Sequence, residues 1–334
     1  MKIVVQNAAP KTISNPNSRI DWIDIAKGIG IIAMLIGHNI EPLKPIIYSF
    51  HVPLFFILCG FTFKRIDKGQ FWKSTLKDFK RLIIPCIITR LIILVGNIIL
   101  KDASLMHEVK TMVGSLAWGN HYGKLFGFSL PPIGRIWFLP ALFITKFLYR
   151  ISLNLFDDKS RLPIFAIMSF ISLFLGSHNI ILPQNLDMIF ICLLFVEIGH
   201  LLKDFDFSKI KPWIFILLFS FWTYLSCAKN IYISMNRREY PGYGLCILVA
   251  LAGCICIFIF SMAIEKIKLS KFLIFFGKNS LILLVVQSIA PYFFNGSNYT
   301  QKCIDMIVEC LIVVAYVLAK SFIIKQKNKI MHHK

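Results

Sequence analysis

Residues 19–64 read RIDWIDIAKGIGIIAMLIGHNIEPLKPIIYSFHVPLFFILCGFTFK, two apolar runs joined by the short turn Glu41-Pro42-Leu43-Lys44. Each run, 22–40 and 44–63, has the length of a helix that crosses the hydrocarbon core of a bilayer, which takes roughly 17–25 apolar residues. A turn this short leaves only a helical hairpin, so the fold class is decided here. Inside the two runs stand Asp24, Lys27, His38 and His51. Ionisable side chains are costly at membrane depth, which makes each of them a candidate for function rather than decoration.

Outward from the hairpin, further apolar runs fall at 82–100, 136–155, 161–177, 186–202, 212–228, 241–264, 272–293 and 303–324. The expectation is an all-α, polytopic integral membrane protein of about ten transmembrane helices. The chain is 57% hydrophobic and 16% charged, against about 25% charged residues in an ordinary soluble domain. It divides into a polar tail (1–19) with no removable signal peptide, one transmembrane domain (20–324) and a basic tail (325–334). The fifth and sixth runs are the shortest, with Asn179 and Pro183 between them, and suit either two spans or one re-entrant pair. No internal repeat is visible.

Lys and Arg set the orientation. The segments before the first run, at 64–81, and around Arg150 to Arg161, Lys203 to Lys211, Lys266 to Lys271 and the C-terminal end are rich in them, whereas the alternate segments are poor. Positive charge resists translocation, so both termini are expected in the cytoplasm, in a multi-pass protein of the cell (inner or cytoplasmic) membrane. The formal charge of +20 is spread over these short clusters rather than one basic face, so it serves topology and no nucleic acid partner is expected. The nine Cys residues show no metal-ligand spacing; no disulfide framework and no metal site are expected.

Lys27 and His38 lie on one face of the first helix, only about 20° apart around it and roughly 16 Å apart along it. The hairpin brings His51 back toward His38. A basic group at one mouth and imidazoles at the other suit a channel that holds a long anionic donor and presents its far end to a base. Arg90 stands mid-span in the third run, too deep to snorkel, and Arg135 and Trp137 open the fourth after a long outer segment, 101–135, that includes His107 and His121. The stretch 229–242, with Arg237, Arg238 and Glu239, is a second external segment. Lys146 is expected to reach an interface, and Glu197 with His200 to form a structural pair.

These residues carry a resemblance. Lys27, ten residues, then His38, followed by Phe50-His51-Val52-Pro53-Leu54-Phe55-Phe56 and Cys59-Gly60, resemble the opening of the membrane acyltransferase 3 family, especially its fucose 4-O-acetylase-like branch. KDFKRLIIP (77–85), IWFLPALF (136–143) and FGKNSLILLVVQ (276–287) are similar to later family segments, although Gln287 stands where many members have His. The resemblance implies transfer of an acyl group, usually acetyl from cytoplasmic acetyl-CoA, to a hydroxyl of a polysaccharide or a lipid-linked glycan of the envelope. It implies His38 as general base with His51 orienting it or polarising the thioester. Lys27, Lys77, Lys80, Arg81 and Arg90 then fall to the donor, and Arg135 and Trp137 to the acceptor, the alternative for that pair being an anchor in an interfacial belt. No permanently bound cofactor is implied; the partners are the acetyl-CoA donor, the glycan acceptor and membrane lipid, with oligomeric state open and a homo-oligomer among the options. The residues alone also admit a transporter or flippase of an anionic or sugar-linked substrate, or a non-enzymatic partner in envelope assembly.

Overall fold

The computed structural model describes residues 21–119, 123–125, 128–130, 132–292, 296 and 298–331. The tail 1–19 and His121 lie outside the described residues. The opening hairpin forms as its sequence dictates: α1 (Asp21–Asn39), a single tight turn at Glu41–Leu43, and α2 (Lys44–Phe61). Then come α3 (Phe71–Lys101) and α4 (Leu105–Trp118). A two-stranded antiparallel ribbon follows, β1 (Gly123–Leu125) on β2 (Phe128–Leu130), with Gly123 opposite Leu130. The ribbon loop is closed at its base by the Ile133 N–H on the Gly119 carbonyl, 2.8 Å. The chain continues as α5 (Phe138–Leu155), α6 (Asp158–Ser177), α7 (Leu186–Leu201) and α8 (Pro212–Thr223), which ends in a π-helical turn, Tyr224–Ala228. Last are α9 (Gly244–Ala263), α10 (Leu269–Lys278), α11 (Ser280–Ile289) and α12 (Tyr299–Met331).

Each of the expected apolar runs holds a helix. Among the described residues, seven helical segments are long and apolar enough to cross a membrane, and a bent pair, Leu269–Lys278 with Ser280–Tyr292, makes up to eight. The other two expected runs are α1, whose apolar length is interrupted by Asp24 and Lys27, and the shorter apolar helix Pro212–Ala228. Large apolar side chains face outward along α3 (Ile92, Val95, Ile99), α6 (Ile167, Phe170, Phe174) and α12 (Ile307, Leu311, Leu318). An apolar exterior of this extent belongs against lipid, not water. The protein is a multi-pass, all-α membrane protein.

Two expectations are refined. The runs at 161–177 and 186–202 are two full helices packed against each other, α6 and α7, rather than one re-entrant pair. The break comes instead inside the run at 272–293, where α10 and α11 meet at a bend of 69°. α10 ends at Asn279: its backbone N–H is shared between the Phe275 and Phe276 carbonyls, both at 3.2 Å, and its side-chain Nδ2 also donates to the Phe275 carbonyl at 2.8 Å.

The centre of the bundle is α2, flanked by α1, α7 and α9. Glycine decides the closeness of one of these contacts, α2 on α7, and of a neighbouring one, α1 on α10. A Cβ on Gly60 would strike the Val196 carbonyl, and one on Gly199 would strike the Ile57 carbonyl, so α2 and α7 meet backbone to backbone. Gly28 and Gly277 do the same between α1 and α10, against the carbonyls of Leu273 and Asp24. Small residues let membrane helices approach where hydrophobic exclusion gives no help. Nearer the start of α2, the Trp222 indole N–H donates to Ser49 Oγ at 2.7 Å.

Candidate active site

A cavity of about 240 Å³ runs along the hairpin. On α1 it is lined by Asp24, Lys27, Ile31, Met34 and His38, a stripe at helical spacing. On α2 the matching stripe is Tyr48, His51, Phe55, Cys59 and Thr62. The remaining walls come from Arg81 of α3, Arg135 and Trp137 ahead of α5, Lys146 within α5, the loop Ser234-Met235-Asn236, and Lys278 beside the α10–α11 bend.

The two ends differ in chemistry. At one end Lys27, Arg81, Lys146 and Lys278 line the cavity. Lys27 Nζ lies 3.6 Å from Asp24, while Asp78 of α3 binds both Lys146 and Arg150 of α5. This double ion pair also determines which part of the basic run 77–81 turns inward. Around α3, Arg81 is about 60° from Asp78, whereas Lys77 and Lys80 are about 100° and 160° away. With Asp78 drawn to α5, Arg81, itself partly open to the outside, reaches the cavity, and Lys77 and Lys80 are exposed and do not line it. Arg90, further along α3, is buried but does not line the cavity.

The middle is apolar, walled by Ile31, Met34, Phe55, Leu58, Phe138 and Leu284. Beyond it His38, Tyr48 and His51 gather. His51 Nδ1 lies 2.8 Å from the Ile47 carbonyl; a carbonyl can only accept, so Nδ1 carries the hydrogen and Nε2 is the nitrogen open to a proton. His38 Nδ1 lies 3.4 Å from the Tyr48 hydroxyl. The Tyr48 ring lies between the imidazoles, with centroids 6.2 Å from His38 and 5.0 Å from His51. Arg135 is held at this end by its Nη1–H on the Gln287 carbonyl, 3.2 Å.

The loop over the His38 end is pinned from below. Arg238 forms a buried ion pair with Asp187 at the start of α7, 2.8 Å, and donates to Asn185 Oδ1 at 3.0 Å. Ser234 and Glu239 bridge reciprocally, N–H to carbonyl, at 3.0 and 3.2 Å. Burial, and then the 2.9 Å hydrogen bond to Glu239, push the Tyr232 phenol up to about 12, so it keeps its hydrogen and donates throughout the neutral range. These ties place Met235 and Asn236 against the cavity.

Of the residues expected from sequence, Lys27, His38, His51, Arg81, Arg135 and Trp137 converge on this one cavity. Tyr48, Lys146, Lys278 and Asn236 were not among them. Tyr48 stands three positions before His51 and so shares its helical face, a signal the sequence did carry; Lys146 had the signal of a cation inside an apolar run, and Asn236 had none. Lys146 does not run to an interface but turns into the bundle toward Asp78. Glu197 does not pair with His200: it accepts from the Tyr149 hydroxyl at 2.7 Å and from Arg161 Nε at 3.1 Å, because α6 packs along α7 and delivers a stronger donor. His107 is exposed on α4, away from the cavity.

The site is a cavity within the helical bundle, with cations at one end and imidazoles at the other. Residues 20–325 match the family model described as an acyltransferase domain, and the chain belongs to the acyltransferase 3 family; the protein is an acyltransferase. No curated protein and no solved structure matches the chain.

Proposed function

We propose that the protein is an O-acetyltransferase of the cell (inner or cytoplasmic) membrane, with both termini in the cytoplasm, that carries acetyl from acetyl-CoA to a hydroxyl of a cell-surface polysaccharide or lipid-linked glycan precursor. One observation carries this: a single cavity connects Lys27 and Arg81 with His38 and His51. The donor fits its chemistry from end to end. Phosphates take charge-assisted bonds from Lys27, Arg81 and Lys278, with Lys77 and Lys80 adding positive charge outside the mouth. The mainly apolar pantetheine arm lies along the middle wall, and the thioester reaches the imidazoles roughly 16 Å along α1. Asp24 and Asp78 hold Lys27 and Lys146 at fixed positions rather than cancelling the site, since arginine and the second lysine remain.

The transfer balances without a further reactant. His38 takes the proton of the acceptor hydroxyl as its oxygen attacks the thioester carbon. The new C–O bond forms, the C–S bond breaks, and the proton passes from the imidazolium to the leaving thiolate. His51, with Nδ1 tied to Ile47, offers Nε2 to orient the hydroxyl or, protonated, to polarise the carbonyl. Arg135 and Trp137 flank the acceptor. The likeness of residues 19–64 to the fucose 4-O-acetylase-like branch supports a sugar hydroxyl.

The test compares ester-linked acetyl on envelope glycans in cells with the protein, without it, and with His38→Ala, alongside thiol release from acetyl-CoA by purified protein. Loss of both signals in the deletion and in H38A is expected. Unchanged ester content, or transport of the acceptor without thiol release, overturns the reading.

A further inference from the structure

We propose that Tyr48 is the positioning residue that sets the tautomer and orientation of the His38 imidazole. The inference rests on the reading of His38 as the base. Tyr48 is buried, lies one helical turn before His51, and lines the cavity beside both imidazoles. Its hydroxyl oxygen stands 3.4 Å from His38 Nδ1, a length at the outer edge of a hydrogen bond and of the kind that tightens when substrate is bound.

Two hydrogen-bond senses exist for this pair, and they have opposite consequences. If the phenol donates, Nδ1 is the acceptor and a neutral imidazole must carry its hydrogen on Nε2, which then cannot take a proton. If Nδ1–H donates to the phenol oxygen, Nε2 keeps its lone pair and is the base. Only the second sense is compatible with proton abstraction by the nitrogen on the far side of the ring, and it survives proton uptake unchanged because the imidazolium also has Nδ1–H. His51 obtains the same Nδ1–H state from a backbone carbonyl, Ile47. His38 Nδ1 has the Tyr48 hydroxyl in that place. Among the described residues that line the cavity, no carboxylate lies at this end: Asp24 is at the other. The phenol is therefore the neutral counterpart of the acid that orients a catalytic imidazole elsewhere, and it holds the ring without adding a charge to an apolar passage.

The experiment is steady-state transfer by the full-length protein in detergent or vesicles, with acetyl-CoA and the glycan acceptor, for wild type, Tyr48→Phe, Tyr48→Gln and His38→Ala. Y48F keeps the ring and removes only the oxygen. It is expected to lower kcat by about tenfold to a hundredfold, the range for losing a hydrogen bond to a group that becomes charged, with KM for acetyl-CoA within about twofold. Y48Q, which restores an acceptor oxygen, is expected to recover part of kcat. Wild-type kcat in Y48F with an inactive H38A overturns the role of Tyr48 and leaves the base in place. A parallel loss of kcat, KM and thermal stability in Y48F marks a structural role and overturns it too. Full activity of H38A removes the reading on which the inference rests.

Discussion

His51 Nδ1 is bonded to the carbonyl of Ile47, one turn back on the same helix, at 2.8 Å. The bond commits one ring nitrogen to the backbone and leaves Nε2 for chemistry. His51→Asn keeps a donor near the Ile47 carbonyl but has nothing at the Nε2 position, whereas His51→Gln places an amide there. H51N is expected to lose about 10²-fold to 10⁴-fold in kcat, the usual range for a removed acid–base group, with the protein still inserted and as thermally stable as wild type. Wild-type turnover in H51N would reduce His51 to a structural tie.

Arg81 is the member of the basic run that lines the cavity. Arg81→Ala is expected to raise KM for acetyl-CoA about tenfold to a hundredfold, the range for a charge-assisted hydrogen bond, and to leave kcat near wild type. Lys77→Ala and Lys80→Ala, at exposed positions that do not line the cavity, should shift KM by less than about threefold, a surface-charge effect that fades in high salt. Equal effects of all three substitutions on KM would contradict the assigned face of α3.

Asp78 joins Lys146 and Arg150 in a largely buried cluster between α3 and α5. Asp78→Asn leaves two cations facing each other without a carboxylate. Removal of one partner of a buried pair costs about 3–5 kcal/mol, which should lower the melting temperature of the purified protein by several degrees. Adding Lys146→Met should recover part of that loss, because it removes one of the uncompensated charges. A melting curve for the double variant no better than for D78N would show that the three charges do not act as a unit.

The α2–α7 contact depends on Gly60 and Gly199, each facing a carbonyl of the other helix. Gly60→Ala inserts a methyl group where there is no space, and overpacking of this kind costs about 1–3 kcal/mol. The helices must separate, so G60A should be less stable and also slower in transfer, because α2 carries Tyr48 and His51. Gly69→Ala, where a Cβ meets nothing within 4 Å, is the control. Equal melting temperatures for the two variants would rule out the close approach.

Much of this was legible in the chain, and for reasons that are local. An apolar run long enough for a bilayer must be a helix because its backbone polar groups have no other partner there, and a turn as short as Glu41–Leu43 must make a hairpin. The angular spacing of Lys27 and His38 followed from helix geometry alone. What the chain did not disclose is which distant side chains meet that face. Lys146 and Glu197 were assigned to the wrong neighbours because their partners, Asp78 and Arg161, lie on other helices. The bend at Asn279 was hidden in an unbroken apolar run, since hydropathy averages over the polar residues that interrupt the helix.

The amino-acid sequence by itself determined that this is a helical membrane protein, that α1 bears an imidazole and a cation on one face, and that α2 returns a second imidazole to it. Periodicity and solvent transfer act within a segment, so they can be read from one. Only the tertiary structure decided that Arg81 and not Lys77 or Lys80 turns inward, that Tyr48 stands between the two imidazoles, and that Met235 and Asn236 reach the same cavity. Those outcomes depend on pairs such as Asp78 with Arg150 and Asp187 with Arg238, formed between residues far apart in the chain, whose meeting is set by how whole helices pack.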